Sequence, residues 1–130
     1  YALAHYNLGM TFYALGRYHE AITAFEKGEQ LAPNDKDCLY FLGRAFSHVE
    51  QYEKAAMCFE KVLAFDREFY PAHFDLAALY MITNKFNKAH EHFKMVLLLA
   101  PNHEQAEKIR AIIKDIEKLD LDRVEVRGRS

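Results

Sequence analysis

Seven histidines and two cysteines are the side chains of this 130-residue chain whose chemistry most often serves catalysis or metal binding. His90 and His92 lie two residues apart, and on a helix they point away from each other, whereas two ligands on one helix face need a spacing of three or four. Cys38 and Cys58 form no CxxC pair and have no histidine at zinc-finger spacing. Neither a disulfide framework nor a zinc site is indicated, and a reducing compartment is expected.

Catalytic sequence motifs are also missing. The chain contains no GxSxG elbow, HExxH pair, phosphate-binding loop or glycine-rich dinucleotide turn. The two cysteines are expected to be inert packing residues. His19 and His103 stand near expected helix starts and are expected to be solvated. We therefore predict no enzyme, no cofactor and no metal site, with catalysis at His48 as the weakest alternative.

Composition limits the classes of protein and partner. Seventeen Lys and Arg against nineteen Asp and Glu give a formal charge of −2, which provides no basic surface for nucleic acid. With five Gly and three Pro, the chain lacks the turn residues that many short strands need, so an all-α fold is expected. No apolar run is long enough for membrane insertion, and no signal peptide is visible. We expect a cytoplasmic piece of a longer protein.

The elements that position these side chains follow a repeat of thirty-four residues. The first copy contains Leu8, Gly9, Phe12, Tyr18, Ala21, Phe25 and Pro33; the second contains Leu42, Gly43, Phe46, Tyr52, Ala55 and Phe59; the third contains Leu76, Ala77, Tyr80, Phe86, Ala89, Phe93 and Pro101. Apolar residues one helical turn apart place two amphipathic helices in each copy. The predicted helices are 2–15, 19–31, 36–49, 53–65, 70–83, 87–99 and 103–118.

Small residues and helix-boundary residues agree with the predicted ends of these helices. Gly9, Gly43 and Ala77 are expected to face Ala21, Ala55 and Ala89, which lets paired helices approach closely. Gly16 and Asn84 fit left-handed turns between the helices of a pair, and Glu50 occupies the same place in the second copy at modest strain. Asn34 or Asp35, and Asn102, can cap the helices that follow them, and Pro71 fits a first turn.

The repeat resembles the tetratricopeptide repeat family over residues 2–103. The resemblance implies a right-handed superhelix, or α-solenoid, of antiparallel helix pairs, with repeats at 2–35, 36–69 and 70–103. A capping helix is expected at 104–119, with Ala106, Ile109, Ile113 and Ile116 facing inward. Residues 120–130 are expected to be a disordered tail. The family usually has a large residue where this chain has His5 and His73, so packing imidazoles are expected at both.

The same resemblance implies which side chains line a concave groove. They are Leu3, Tyr6, Asn7, Met10, Tyr13 and Ala14 in copy one, Asp37, Tyr40, Phe41, Arg44, Ser47 and His48 in copy two, and Pro71, Phe74, Asp75, Ala78, Met81 and Ile82 in copy three. Apolar groups gathered on an open face indicate a surface that another molecule covers. The predicted partner-binding residues are Tyr6, Met10, Tyr13, Tyr40, Arg44, His48, Phe74, Asp75 and Met81. Packing between helices is an equal alternative for Tyr6, Tyr40, Phe41 and Phe74.

Two ligand types known in the family do not suit this groove. The clamp of Lys, Asn and Arg that holds acidic heat-shock chaperone tails corresponds here to Tyr6, Met10, Phe41, Pro71 and Asp75, and none matches. The row of groove asparagines in the family's sugar-transferring members corresponds here to Asn7, Phe41 and Asp75. Only the first of these positions keeps an asparagine. An apolar extended segment or an amphipathic helix fits better, and in this respect the groove resembles type III secretion chaperones.

The expected function is therefore a scaffold that binds a protein segment in the groove. One alternative is an assembly, regulatory or chaperone-like part of a larger enzyme or secretion complex, with the groove filled by its own chain. Another is self-association through an uncovered first helix, which would bury Leu3, Tyr6 and Leu8.

Overall fold

The computed structural model describes the backbone of residues 1–129 and the side chains of residues 1–119. Seven helices make up the described chain: α1 (Ala2–Ala14), α2 (Tyr18–Leu31), α3 (Lys36–His48), α4 (Tyr52–Phe65), α5 (Tyr70–Ile82), α6 (Phe86–Leu99) and α7 (Ala106–Arg129). The bounds of the first six agree with the predicted ones within one residue at each end. The all-α repeat fold is confirmed.

The helices stack in chain order. Each helix packs against the next one along the chain, and α1 also meets α3, as α3 meets α5. The first helices of the three pairs therefore lie side by side and form the face that we call the concave groove, while α2, α4 and α6 form the opposite, convex face.

The turn inside each pair has the same backbone geometry in all three copies. Gly16, Glu50 and Asn84 have φ of 75°, 62° and 61°. The amide after each of them donates back to a carbonyl five residues earlier, as in the 2.9 Å bond from Arg17 N to Phe12 O, which closes the helix end. The left-handed turn predicted at Glu50 is thus present without a glycine.

Close helix packing depends on Gly9 and Gly43. A Cβ at Gly9 would lie 2.6 Å from the ring of Phe25, and one at Gly43 would lie 2.8 Å from the ring of Phe59. Both rings are fully buried. The glycines therefore make room for phenylalanine rings, whereas the sequence had suggested Ala21 and Ala55 as the groups facing them.

Helix boundaries follow the predicted caps in part. Asp35 accepts a 3.1 Å hydrogen bond from Cys38 N and so caps α3, and Pro71 lies in the first turn of α5. The prediction that Asn102 caps the last helix is wrong, because α7 begins at Ala106. His103 Nδ1 accepts from Gln105 N at 3.1 Å and forms a turn before it.

The helix α7 covers the end of the stack. Its inward residues Ala106, Ile109, Ile113 and Ile116 are buried, as predicted. The disordered tail expected at 120–130 is a wrong prediction for residues 120–129, because α7 continues to Arg129. No proline or glycine lies between residues 102 and 127, so nothing in the sequence stops the helix there. Ser130 lies outside the described residues.

Candidate functional site

Aromatic side chains gather where the end of α1 meets the end of α3. The Tyr13 hydroxyl lies 3.1 Å from His48 Nε2, and the Tyr13 ring meets Phe41 edge-on with centroids 5.9 Å apart. Tyr18, the first residue of α2, stacks on His48 with centroids 4.1 Å apart and planes 2° apart. Together with Tyr40 and Arg44 these residues are called the central cluster: Tyr13, Tyr18, Tyr40, Phe41, Arg44 and His48.

Arg44 carries the charge of this cluster. Its Cζ lies 5.7 Å from the centroid of Tyr13 and 5.9 Å from that of Tyr40, which is cation–π range. Among the residues whose side chains are described, no hydrogen-bond acceptor and no carboxylate pairs with its guanidinium. The two rings therefore hold the cation while its N–H donors stay available.

Asp75 reaches the same region from α5. Its Oδ2 is buried, and no described group donates to it. Burial raises the pKa of the Asp75 carboxyl, while the nearby Tyr40 hydroxyl and Arg44 oppose that rise. Burial also raises the pKa of Tyr40, and the Asp75 charge adds to that effect. The carboxyl of Asp75 thus interacts with the Tyr40 hydroxyl, while its buried Oδ2 has no hydrogen-bond partner.

A cleft of about 240 Å³ opens between α3 and α5 beside these groups. It is lined by Arg44, Ser47, His48 and Asp75 on its polar side, and by apolar groups that include Tyr52 and Ile82. Burial first, and then the charge of Arg44, lowers the pKa of His48. A lowered pKa disfavours the charged imidazole, so Arg44 is the main cation that this cleft presents.

The predicted partner-binding residues fall into two groups. Tyr13, Tyr40, Arg44, His48 and Asp75 meet around the central cluster and its cleft. The other four lie apart from it. Tyr6 packs on Phe25, Phe74 stacks on His103 with centroids 5.5 Å apart, and Met10 and Met81 are half-buried against the core.

Two features of this region were not predicted from the sequence. Tyr18 was recognised only as a repeat position, although its recurrence as Tyr52 and Phe86 was a signal that an aromatic ring stands at the start of each second helix. His103 was expected to be solvated, and this is wrong, because it is half-buried between the rings of Tyr70 and Phe74. The wrong start of α7 caused that error.

A histidine pair was missed as well. His73 Nδ1 lies 2.9 Å from His92 Nδ1, and His73 Nε2 lies 2.9 Å from Arg67 O. Because a carbonyl only accepts, His73 Nε2 donates to it, so neutral His73 accepts at Nδ1 and His92 donates. The expectation that His73 is a packing imidazole agrees with this buried position.

The described residues provide neither a metal site nor a thiolate. Within the residues whose side chains are described, no three His, Cys, Asp or Glu residues stand close enough to hold a metal ion. Burial raises the pKa of Cys38 and of Cys58 to about 11, which keeps both thiols protonated. None of the described helices has the length and apolar character needed to cross a membrane.

Comparison with known sequences identifies a family. Two family models described as tetratricopeptide repeat match the chain, over residues 1–68 and over residues 47–113. The RNA polymerase-associated protein CTR9 of Caenorhabditis elegans is 31% identical over an alignment of 93 residues, and the match covers 65% of this chain and 8% of that protein. The chain thus matches a small part of this curated relative.

Solved structures share the fold. The first TPR of Spaghetti (RPAP3), bound to the HSP90 peptide SRMEEVD, has a TM-score of 0.82 at 23% identity, with 89% of this chain and 93% of that chain covered. The Yersinia enterocolitica type III secretion chaperone SycD, in complex with a peptide of the translocator YopD, has a TM-score of 0.81 at 17% identity, with 90% and 92% covered.

Proposed function

The chain belongs to the tetratricopeptide repeat family, and we propose that it is an interaction scaffold whose concave groove binds an apolar or amphipathic segment of a partner protein. The central cluster carries this proposal. Partly exposed tyrosines, together with an arginine that lacks an acidic partner, are the side chains that contribute most contact energy at protein interfaces. Apart from Tyr18, which begins α2, the cluster lies on α1 and α3 in the face formed by α1, α3 and α5.

The two similar structures support binding of a peptide. One holds an HSP90 peptide and the other a peptide of YopD. An acidic chaperone tail suits this chain poorly, since Tyr6, Met10 and Phe41 stand where the family's clamp has cations and amides. Asp75 would also repel such a tail. An apolar segment remains the better partner.

We propose a binding role without catalysis. Proteins of this family and fold are typically non-catalytic scaffolds. The histidine with the best exposure in the groove, His48, is stacked on Tyr18 and bonded to Tyr13, so it serves the packing of the cluster. An enzymatic activity of this chain that disappears in His48→Ala would contradict the proposal.

The test is a comparison of captured proteins from the source cell. The wild-type chain and a Tyr13→Glu, Met81→Glu variant serve as baits, and a Met57→Glu, Leu98→Glu variant places the same charges on exposed apolar residues of the second helices. We expect one partner to be retained by the wild type and the convex control and lost by the groove variant, with equal circular dichroism. Identical catches from all three baits would contradict groove binding.

Self-association is a second candidate function, favoured by one observation. Leu8 is 46% exposed, whereas its equivalents Leu42 and Leu76 are 6% and 0% exposed, because the preceding repeat covers them. A cleft of about 610 Å³ lies in the corresponding place on α1 and α2 and includes Phe12. Either a second copy of the chain or a further repeat of a longer protein could cover this face. Sedimentation that shows a monomer at every concentration would reject this candidate.

A further inference from the structure

We propose that the cleft between α3 and α5 is a pocket for one aromatic side chain of the partner, and that it prefers phenylalanine to tyrosine. The inference rests on the proposed function and adds a side-chain specificity to it. The bound ring takes the place that the chain's own Tyr13 holds one repeat earlier, where α1 meets α3.

The walls of the cleft repeat the surroundings of Tyr13. The cleft residues Tyr52, Asp75 and Ile82 have as counterparts, thirty-four positions earlier, Tyr18, Phe41 and His48. All three counterparts lie against the Tyr13 ring, with centroids 5.4, 5.9 and 5.5 Å from its own. The cleft is therefore the equivalent of the Tyr13 site in the next repeat.

Ser47 is the residue that leaves this cleft open. It is the counterpart of Tyr13, and the third copy has Met81 at the same position. The Ser47 hydroxyl donates to Gly43 O at 3.2 Å, so this short side chain is bonded to its own helix. The chain thus places a large side chain at this position in two copies and a small one in the second. A cleft of about 240 Å³ has room for one ring, since an apolar cavity of about 150 Å³ binds benzene.

The charges that line the cleft favour a neutral aromatic occupant. Arg44 already lies in cation–π range of Tyr13 and Tyr40, and a ring in the cleft meets the same cation. An aliphatic side chain fills the space without gaining this attraction. A partner lysine would be repelled by Arg44, and a partner carboxylate would be repelled by Asp75.

The cleft differs from the Tyr13 site at the place of the hydroxyl. The Tyr13 hydroxyl lies 3.1 Å from His48 Nε2, whereas the counterpart of His48 is Ile82, which has neither a donor nor an acceptor in its side chain. A bound tyrosine therefore places its hydroxyl against an apolar group and finds no protein partner there. Phenylalanine avoids this cost and keeps the ring contacts.

The experiment uses a random peptide library displayed on phage and selected on the full chain. We expect each selected peptide to contain one aromatic residue whose replacement by alanine weakens binding to the wild type about tenfold or more. Ser47→Tyr adds the side chain of the first copy, so it should fill the cleft and weaken the peptides by a similar factor. The alanine replacement should then have no further effect. Ser47→Ala leaves the cleft open and is the matched control, with unchanged affinity.

A second variant covers the case in which Ser47→Tyr does not fold. Ser47→Met copies the third repeat and should weaken the selected peptides in the same way, because it also fills the cleft. Urea unfolding measures whether each variant is folded, and a filled cleft should raise the midpoint of unfolding.

A third variant tests the preference for phenylalanine. Ile82→His gives the cleft the imidazole that bonds Tyr13 one repeat earlier. Each selected peptide is made with phenylalanine and with tyrosine at the essential position. The wild type should bind the phenylalanine peptide more tightly, and Ile82→His should shift the ratio about fivefold towards tyrosine, as one added hydrogen bond does. An unchanged ratio would contradict the assigned place of the ring.

The outcomes separate the two proposals. Peptides that lose affinity on Tyr13→Glu but contain no essential aromatic residue would overturn this inference and leave groove binding intact. So would peptides that bind Ser47→Tyr as tightly as the wild type while that variant is folded. A library that yields no peptide sensitive to Tyr13→Glu would overturn both proposals.

Discussion

The Tyr13 hydroxyl bonds His48 Nε2 at 3.1 Å although the two residues are thirty-five positions apart in the chain. The bond joins the last turn of α1 to the last residue of α3, and Tyr18 stacks on the same imidazole. Two neighbouring repeats are thus connected at the groove surface by aromatic side chains, which lie beside the cation of Arg44.

Removing the hydroxyl and removing the ring of Tyr13 should have different effects. Tyr13→Phe loses one partly exposed hydrogen bond, so the free energy of unfolding should fall by less than about 1 kcal/mol. Tyr13→Ala also loses the edge contacts with Tyr18 and Phe41 and should cost about 2 kcal/mol or more. Urea unfolding measures both. Equal losses would show that the ring contacts contribute nothing.

Two glycine substitutions should change stability in opposite directions. Gly43→Ala places a Cβ 2.8 Å from the Phe59 ring and 3.1 Å from Cys58 Cβ, and this crowding should cost about 1–3 kcal/mol. Gly28→Ala meets no atom closer than 3.5 Å and lies inside α2, so a gain of about 0.5–1 kcal/mol is expected. The midpoints of urea unfolding should move apart, and a shift of both in one direction would contradict the packing argument.

The turn at Glu50 stores strain that glycine should release. A left-handed conformation costs a residue with a Cβ about 1–2 kcal/mol, and glycine regains part of this. Glu50→Gly should therefore raise the free energy of unfolding by about 0.5–1 kcal/mol, while Glu50→Ala keeps the Cβ and should give no gain. Thermal unfolding checks the pair. Stabilisation by alanine equal to that by glycine would refute strain as the cause.

Acid should destabilise the third repeat through its histidine pair. Burial, then His73 and also Lys88, lower the pKa of His92, and the charges of Glu91 and Glu60 oppose this. A lowered folded-state pKa means that the unfolded chain binds more protons below its ordinary pKa of 6.5. Stability is therefore full above pH 6.5 and declines as pH falls towards the folded-state pKa.

The pH prediction is tested by urea unfolding between pH 5 and pH 8. His92→Asn keeps a side-chain N–H donor for His73 but does not titrate, so its stability should vary less with pH than that of the wild type. His19→Asn changes an exposed histidine and serves as the control. If His92→Asn retains the full wild-type slope, the pair is not the source of the dependence.

The repeat pattern predicted most of the fold because burial itself recurs. Phe25, Phe59 and Phe93 are buried in equivalent places, so their spacing in the sequence predicted which positions form the core. Contacts between unlike positions were not predictable in the same way. The stacking of Tyr18 on His48 depends on how one repeat is rotated against the next, and no sequence period encodes that rotation.

For the groove residues too, the shared face was predictable from the sequence, whereas the pairing of side chains was not. Spacing and family resemblance placed Tyr13, Arg44 and His48 on one face, and the structure brings them together. Their spacing did not reveal that Arg44 is unpaired or that an oxygen of Asp75 lacks a donor, because pairing depends on side-chain reach across helices.

Site-specific photo-crosslinking tests the central claim, binding in the concave groove, most directly. Benzoylphenylalanine replaces Ile82, which lines the cleft, in one chain and Met57, on the convex face, in another. These residues are 57% and 59% exposed, so the two probes are equally accessible. Groove binding predicts that the partner crosslinks to position 82 and not to position 57. Crosslinking at position 57 alone would contradict it.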